Sequence, residues 1–162
     1  SLVNEFDNII VVHSFTKFYA VPGLRIGAAF SNPLIIEQIN SFIPTWSVNT
    51  LAQAYTEAAL NDVEYVKRTK QELREEQGFV YSSLDAIPGI TVYPPSANFI
   101  LFHINQEGIT AESINEALKK HNMIIRNCDS YMGLNNQWVR VAIKDHDTNV
   151  RLVEKLTDIL KV

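Results

Sequence analysis

Two hydroxyl side chains, an amine and a guanidinium lie close together near the start of the chain. Ser14, Thr16 and Lys17 are near neighbours, and Arg25 follows beyond the turn at residues 22–23. Hydroxyls and a guanidinium that converge on one point suit a phosphate dianion, because each donates a hydrogen bond to an anionic oxygen. The spacing therefore predicts a phosphate site with a primary amine at its edge.

An amine beside a phosphate site limits the kinds of ligand that would use both groups. A lysine whose pKa is lowered by apolar neighbours can form a Schiff base with an aldehyde. The cofactor that carries both a phosphate and an aldehyde is pyridoxal phosphate. A simpler alternative is a non-catalytic binding module, in which Ser14, Thr16 and Arg25 hold some other phosphate. In that module Lys17 would be only a counter-charge.

The segment of residues 14–27, SFTKFYAVPGLRIG, resembles the lysine motif of fold-type-I, class I and II pyridoxal-phosphate aminotransferases. It is most similar to the branch that contains histidinol-phosphate aminotransferases and threonine-phosphate decarboxylases. The resemblance continues in residues 44–49, 95–99, 125–127 and 139–141. It implies that Lys17 is the catalytic Schiff-base lysine, and that Ser14, Thr16, Lys17 and Arg25 bind pyridoxal 5'-phosphate.

Two arginines later in the chain are candidates for binding a substrate anion. In residues 137–143 the aliphatic side chains alternate with others, which predicts a strand whose Arg140 faces away from the core. A rigid strand can present a guanidinium as a bidentate clamp, although a surface ion pair would explain the same pattern. The resemblance implies that Arg140 binds the carboxylate or phosphate of the substrate, and that Arg126 lies near the substrate phosphate.

The resemblance covers only the second half of such an enzyme. It implies a cytoplasmic, homodimeric transaminase of amino-acid biosynthesis, acting on an amino acid or amino-phosphate such as histidinol phosphate. Residues 18–22 resemble the decarboxylases more, so decarboxylation of an amino-acid phosphate is the alternative. Family members also use an aspartate, a stacked aromatic ring and a glycine-containing helix start that all precede the lysine. The chain alone is therefore expected to be inactive.

The elements that must position these residues follow from the apolar periodicity and the caps. Residues 9–12 predict a short buried strand, and a second strand follows the turn. The pattern then predicts helices at 33–43, 51–60 and 62–86, strands at 90–93, 97–104, 123–126 and 137–143, and helices capped by Thr110 and by Asp145 or Asp147. The predicted fold is α/β. Residues 1–45 are the C-terminal piece of the large cofactor-binding domain. Residues 46–162 are connecting helices and a small domain with a mainly antiparallel sheet.

Bulk composition excludes several other classes of function. The chain has 162 residues, of which 46% are hydrophobic and 20% charged, as in a soluble globular protein. A net charge of −4 argues against a nucleic-acid or anionic-membrane surface, and no apolar run predicts a membrane span. The single cysteine, Cys128, excludes an intrachain disulfide and indicates a reducing compartment. The four histidines lack metal-ligand spacing, so no metal is expected.

Overall fold

A computed structural model describes residues 2–160. The chain forms two compact units, of which one ends at Tyr65 and the other begins at Val66. The division falls inside a helix and lies after the domain boundary that the sequence predicts at residue 45, which stays a prediction. No helix within residues 2–160 has the length and apolar character needed to cross a membrane.

The first unit contains a two-stranded antiparallel sheet. Strand β1 (Val11–Ser14) pairs with β2 (Gly27–Phe30), and Ser14 lies opposite Gly27. The prediction of a buried strand at residues 9–12 is wrong in two respects. The strand begins at Val11, and all four of its residues are exposed. A two-stranded ribbon buries its side chains only under another layer, and no described residue of this unit covers β1.

Helices of the first unit begin within one residue of the positions that the sequence predicts. Helix α1 (Pro33–Phe42) has proline in its first turn, and helix α2 (Thr50–Asn61) follows Asn49. The Asn49 side chain accepts a hydrogen bond from the backbone amide of Ala52 at 2.8 Å. Two short 3₁₀ turns, Leu2–Asn4 and Pro22–Leu24, complete the described elements of this unit.

The second unit is a four-stranded antiparallel sheet packed against helices. Its strands are β3 (Ile90–Tyr93), β4 (Phe99–Ile104), β5 (Arg126–Asn127) and β6 (Trp138–Ala142), in the order β3-β4-β6-β5. Its helices are α3 (Val63–Asp85), which begins in the first unit, α4 (Ala111–Lys119) and α5 (His146–Leu160). Alternate strand residues are buried against the helices, among them Ile100, Phe102, Ile104, Val139 and Val141. This is the mixed α/β architecture with a mainly antiparallel sheet that the sequence predicts.

The strand predicted at residues 123–126 is two residues long and begins at Arg126. The reason is a side chain of α4 that binds the preceding backbone. Asn115 accepts a hydrogen bond from the amide of Ile125 at 2.8 Å and donates one to its carbonyl at 3.0 Å. Because both backbone groups of Ile125 are satisfied by this side chain, they need no strand partner.

Candidate functional site

The predicted phosphate site lies on the segment that joins β1 to β2, residues 15–26, which we call the lysine loop. The ends of the loop are held together, because Ser14 pairs with Gly27 and the amide of Phe15 donates to the carbonyl of Ile26 at 3.4 Å. A Cβ atom on Gly27 would lie 2.7 Å from the carbonyl oxygen of His13. Only glycine allows the two strands to approach this closely at the base of the loop.

The loop backbone is strained at two residues that are not glycine. Ala20 has φ of 53° and Arg25 has φ of 55°, in the left-handed region. This conformation costs free energy for a residue with a Cβ atom, and such residues are frequent at functional sites. At these two residues the loop has backbone dihedrals that occur in neither a strand nor a right-handed helix.

The structure brings the two predicted hydroxyls together. Ser14 Oγ lies 2.8 Å from Thr16 Oγ1, and the amide of Thr16 donates to Ser14 Oγ at 3.4 Å. One hydroxyl donates to the other, so one O–H remains available for an anion. Ser14 and the neighbouring Lys17 are exposed. An available hydroxyl donor next to a solvent-accessible amine fits the phosphate and the aldehyde of pyridoxal phosphate.

Arg25 lies in the same loop but binds its own turn. Its Nη1 donates to the carbonyl of Pro22 at 3.0 Å, and the neighbouring Leu24 carbonyl accepts from Asn49 at 3.4 Å. Within residues 2–160 no hydrogen bond joins this guanidinium to Ser14 or Thr16. The Arg25 side chain is exposed, and its guanidinium keeps donors beyond the one that binds Pro22.

The two predicted substrate arginines are neighbours in the second unit. Arg126 on β5 lies directly opposite Arg140 on β6. The Arg140 guanidinium lies 4.9 Å from the centre of the Phe99 ring, and the Arg126 guanidinium lies 5.9 Å from that of Tyr131. We call Arg126 and Arg140 the arginine pair. As predicted, Arg140 faces away from the aliphatic core.

Within residues 2–160, neither member of the arginine pair forms an ion pair with a carboxylate. Arg126 instead donates from Nη2 to Ser130 Oγ at 3.1 Å. Like charges directly opposite each other on a sheet repel, and an anion between them would relieve the repulsion. Both guanidiniums therefore keep donors that no carboxylate of residues 2–160 occupies.

Cys128 lies near the arginine pair but is a poor nucleophile. Its side chain is buried, and this burial raises the pKa of the thiol, against the opposing positive charges of Arg140 and Arg126. The thiol is therefore uncharged at neutral pH. The residues described by the structure contain no group of three histidine, cysteine or carboxylate side chains that could hold a metal ion.

Sequence reasoning missed four residues that touch the predicted site. Ser130 and Tyr131 contact Arg126. Tyr65 and Tyr55 donate hydrogen bonds to carbonyls of the lysine loop across 47 and 36 residues of sequence. No spacing signal marks such distant partners, because a contact across tens of residues depends on the path of the chain.

The chain is similar in sequence to known enzymes over nearly its whole length. The family model "Aminotransferase class I and II" matches residues 1–156. The histidinol-phosphate aminotransferase of Methanosphaera stadtmanae is 30% identical over 161 residues, which are 99% of this chain and 44% of that protein. The threonine-phosphate decarboxylase of Salmonella typhimurium is 37% identical over 159 residues, 98% of this chain and 43% of that protein.

A solved structure shows the same fold. The histidinol-phosphate aminotransferase from Clostridium acetobutylicum superposes with a TM-score of 0.92 at 28% identity, over 98% of this chain and 48% of that one. The chain thus spans less than half the length of the relatives that it matches.

Proposed function

The chain belongs to the class I and II aminotransferases, and from this membership we propose that it is the C-terminal portion of a pyridoxal-phosphate-dependent aminotransferase. The observation that carries the proposal is the lysine loop, where an exposed amine adjoins two hydroxyls that lie 2.8 Å apart. A surface lysine with no further role would not need a closed, strained loop with paired donors beside it.

Lys17 is the proposed catalytic residue. When bound, pyridoxal phosphate supplies an aldehyde that condenses with amines and a ring that withdraws electrons from the substrate. Lys17 would hold the cofactor through its amine and, when that amine is free, would take a proton from the α-carbon of the substrate and return it. Ser14, Thr16 and Arg25 are the proposed phosphate ligands, and donation by both hydroxyls would require their mutual hydrogen bond to be exchanged for one to the anion.

The arginine pair is the proposed site for the substrate anion. Two opposed guanidiniums that have no carboxylate partner within residues 2–160 favour a carboxylate or a phosphate, to which each can donate two hydrogen bonds. The proposed substrate is a small amino acid or amino-phosphate such as histidinol phosphate. A cytoplasmic location, a role in amino-acid biosynthesis and a homodimeric full-length enzyme are proposed from family membership alone.

A second candidate reaction is decarboxylation of an amino-acid phosphate. The 37% identity to a threonine-phosphate decarboxylase and the similarity of residues 18–22 favour it. In that reaction the α-carboxylate leaves as carbon dioxide, whereas in transamination the α-proton is removed and the amino group is transferred. Incubation of the full-length enzyme with amino-phosphates, with and without a 2-oxo acid, distinguishes the two through release of carbon dioxide or of a new amino acid.

Borohydride trapping tests the proposed function directly. Reduction of the full-length protein with pyridoxal phosphate, followed by peptide mass mapping, is expected to place a pyridoxyl group on Lys17. Other lysines of the chain, such as Lys144, serve as internal controls for non-specific labelling. An adduct spread equally over several lysines, or no adduct, would favour the alternative of a non-catalytic phosphate-binding module. The 162-residue chain alone is expected to show no turnover.

A further inference from the structure

Two tyrosine hydroxyls hold the backbone immediately after Lys17. The Tyr65 hydroxyl donates to the carbonyl of Phe18 at 2.8 Å, and the Tyr55 hydroxyl donates to the carbonyl of Tyr19 at 3.1 Å. The two tyrosines come from different helices, α2 and the first turn of α3. The lysine loop is therefore attached to two separate elements at consecutive carbonyls.

Aromatic packing supports the same attachment. The ring of Tyr65 stacks on that of Tyr19, with centres 5.9 Å apart and planes at 20°. Phe18 meets the Tyr65 ring edge-on at 6.0 Å, and Phe15 meets that of Tyr19 at 5.9 Å. Such pairs stabilise beyond their buried area and restrict ring orientation. Lys17 thus lies between residues whose side chains make their own contacts, Thr16 with Ser14 and Phe18 with Tyr65.

The attachment limits the orientation of the lysine. The carbonyl of Lys17 accepts from the amide of Ala20, and the amide of Tyr19 donates to the carbonyl of Phe15. These bonds make one tight turn around Lys17, but a turn of this kind fixes only its own shape. The tyrosine hydroxyls fix the position of the turn relative to α2 and α3, because they bind it to both helices. Each of these helices begins at its own side-chain cap.

We propose that Tyr65 and Tyr55 are positioning residues for Lys17, holding the carbonyls of Phe18 and Tyr19 so that the lysine amine points where the cofactor aldehyde binds. The inference rests on the proposed role of Lys17 and extends it to residues that touch neither cofactor nor substrate. Tyr65 has the larger role, since its hydrogen bond is part-buried, whereas Tyr55 is 44% exposed and water competes for its hydroxyl.

Hydrogen exchange of the full-length enzyme without cofactor provides the first test. Tyr65→Phe removes one hydroxyl and keeps the ring, so the stacking on Tyr19 is retained. The amides of Tyr19, Ala20 and Val21 are expected to exchange about threefold to tenfold faster, as loss of one neutral hydrogen bond predicts. Tyr55→Phe is expected to have the smaller effect. Tyr81→Phe is the matched control, because this α3 tyrosine has no hydroxyl hydrogen bond among residues 2–160.

The loaded enzyme provides the second test. In Tyr65→Phe the rate of cofactor dissociation is expected to rise about threefold to tenfold. We expect kcat to fall by a similar factor while KM stays within about twofold, because the arginine pair is unaltered. Tyr81→Phe is expected to leave all three constants near those of the wild type. A merely structural role would instead lower the thermal midpoint and change KM and kcat together.

Each other outcome overturns the inference. Equal exchange in Tyr65→Phe and Tyr81→Phe would show that the hydroxyl does not hold the loop. Faster exchange throughout the protein, with a lower thermal midpoint, would show general destabilisation rather than positioning. Faster exchange with unchanged kcat and an unchanged rate of cofactor dissociation would show that the order of the loop backbone does not affect the position of the Lys17 amine. A wild-type enzyme without a pyridoxyl adduct on Lys17 would overturn the proposed function as well, so the two failures are distinguishable.

Discussion

The lysine loop and the arginine pair place charged side chains by opposite means. The loop belongs to a unit whose described residues include three buried hydrophobic ones, Phe15, Val21 and Ala52, and whose strands are exposed apart from the half-buried Ala28. The arginine pair lies on a regular sheet whose other face belongs to a large buried core. The loop depends on specific hydrogen bonds and strained dihedrals, while the pair depends on strand register.

This difference shows where precision comes from in each region. Register places Arg126 opposite Arg140 as long as the sheet exists, so the pair depends on the stability of the core. The lysine loop has no such repeat, and its conformation depends on individual contacts to α2 and α3. Changes in the loop should therefore affect chemistry, whereas changes beneath the pair should affect folding.

The largest expected effect is on chemistry. Lys17→Ala in the full-length enzyme is expected to lower turnover at least about a thousandfold, because the amine that binds the aldehyde and moves the proton is lost. Steady-state kinetics and borohydride trapping measure the loss. Lys144→Ala is the control, with expected turnover near that of the wild type. A Lys17→Ala enzyme of normal activity would show that the lysine loop does not carry the catalytic amine.

The largest effect on folding is expected beneath the arginine pair. Phe102 is fully buried on β4, so Phe102→Ala is expected to lower the free energy of unfolding by about 3–5 kcal/mol. Its neighbour Leu101 faces the opposite side of the sheet and is half-buried, which makes Leu101→Ala the matched control with a smaller loss. Urea unfolding followed by circular dichroism measures both. Equal losses would mean that the core does not support the sheet as described.

Substitution of Arg25 and of Arg140 should affect different ligands, the cofactor in the first case and the substrate in the second. Arg25→Ala is expected to weaken cofactor binding by about 1.5–3 kcal/mol, the value of a hydrogen bond to a charged group. Arg140→Ala is expected to weaken substrate binding by a similar free energy, which raises the substrate KM, and to leave cofactor binding nearly unchanged. Cofactor titration and substrate kinetics on both variants check this. If Arg140→Ala lost cofactor while Arg25→Ala kept it, the assigned roles would be reversed.

A smaller effect is expected next to the lysine loop. The Thr56 hydroxyl oxygen is buried and has no hydrogen-bond partner in the part of the chain that the structure describes. Because an unsatisfied buried hydroxyl costs about 1–3 kcal/mol, Thr56→Val is expected to raise the free energy of unfolding by about 1 kcal/mol. Thr56→Ser keeps the hydroxyl and is the control, expected to show no gain. A destabilised Thr56→Val variant would indicate that this hydroxyl has a partner in solution.

The smallest effect concerns pH and the start of α5. Hydrogen bonds from the amide and then the hydroxyl of Thr148 lower the pKa of Asp145 below its ordinary value of 3.8. The carboxylate therefore contributes stability above pH 3.8, and the contribution is lost as the pH falls through the lower folded pKa. Asp145→Asn retains a capping side chain but should show a flatter loss of thermal midpoint from pH 5 to 2. Identical slopes for wild type and variant would contradict this.

Much of the candidate site was accessible from the sequence because its members are local. Ser14 and Thr16 are two positions apart, so a loop leaving a strand brings their hydroxyls together without help from distant residues. Strand alternation predicts the outward face of Arg140, and the residue pattern predicts both ends of α2 to within one residue. These features depend on neighbours within one turn or one strand, where residue type decides the geometry.

The remainder depends on which distant segments meet, and only the tertiary structure decided it. Burial of residues 9–12 was predicted from their apolar run, yet a run cannot show whether another layer covers it. Ile125 leaves its predicted strand because Asn115 of a separate helix binds its backbone. The opposition of Arg126 and Arg140 and the hold of Tyr65 on the lysine loop likewise join residues far apart in sequence. Local periodicity determines the face that a side chain occupies, whereas its partner across the fold is determined by how the elements pack.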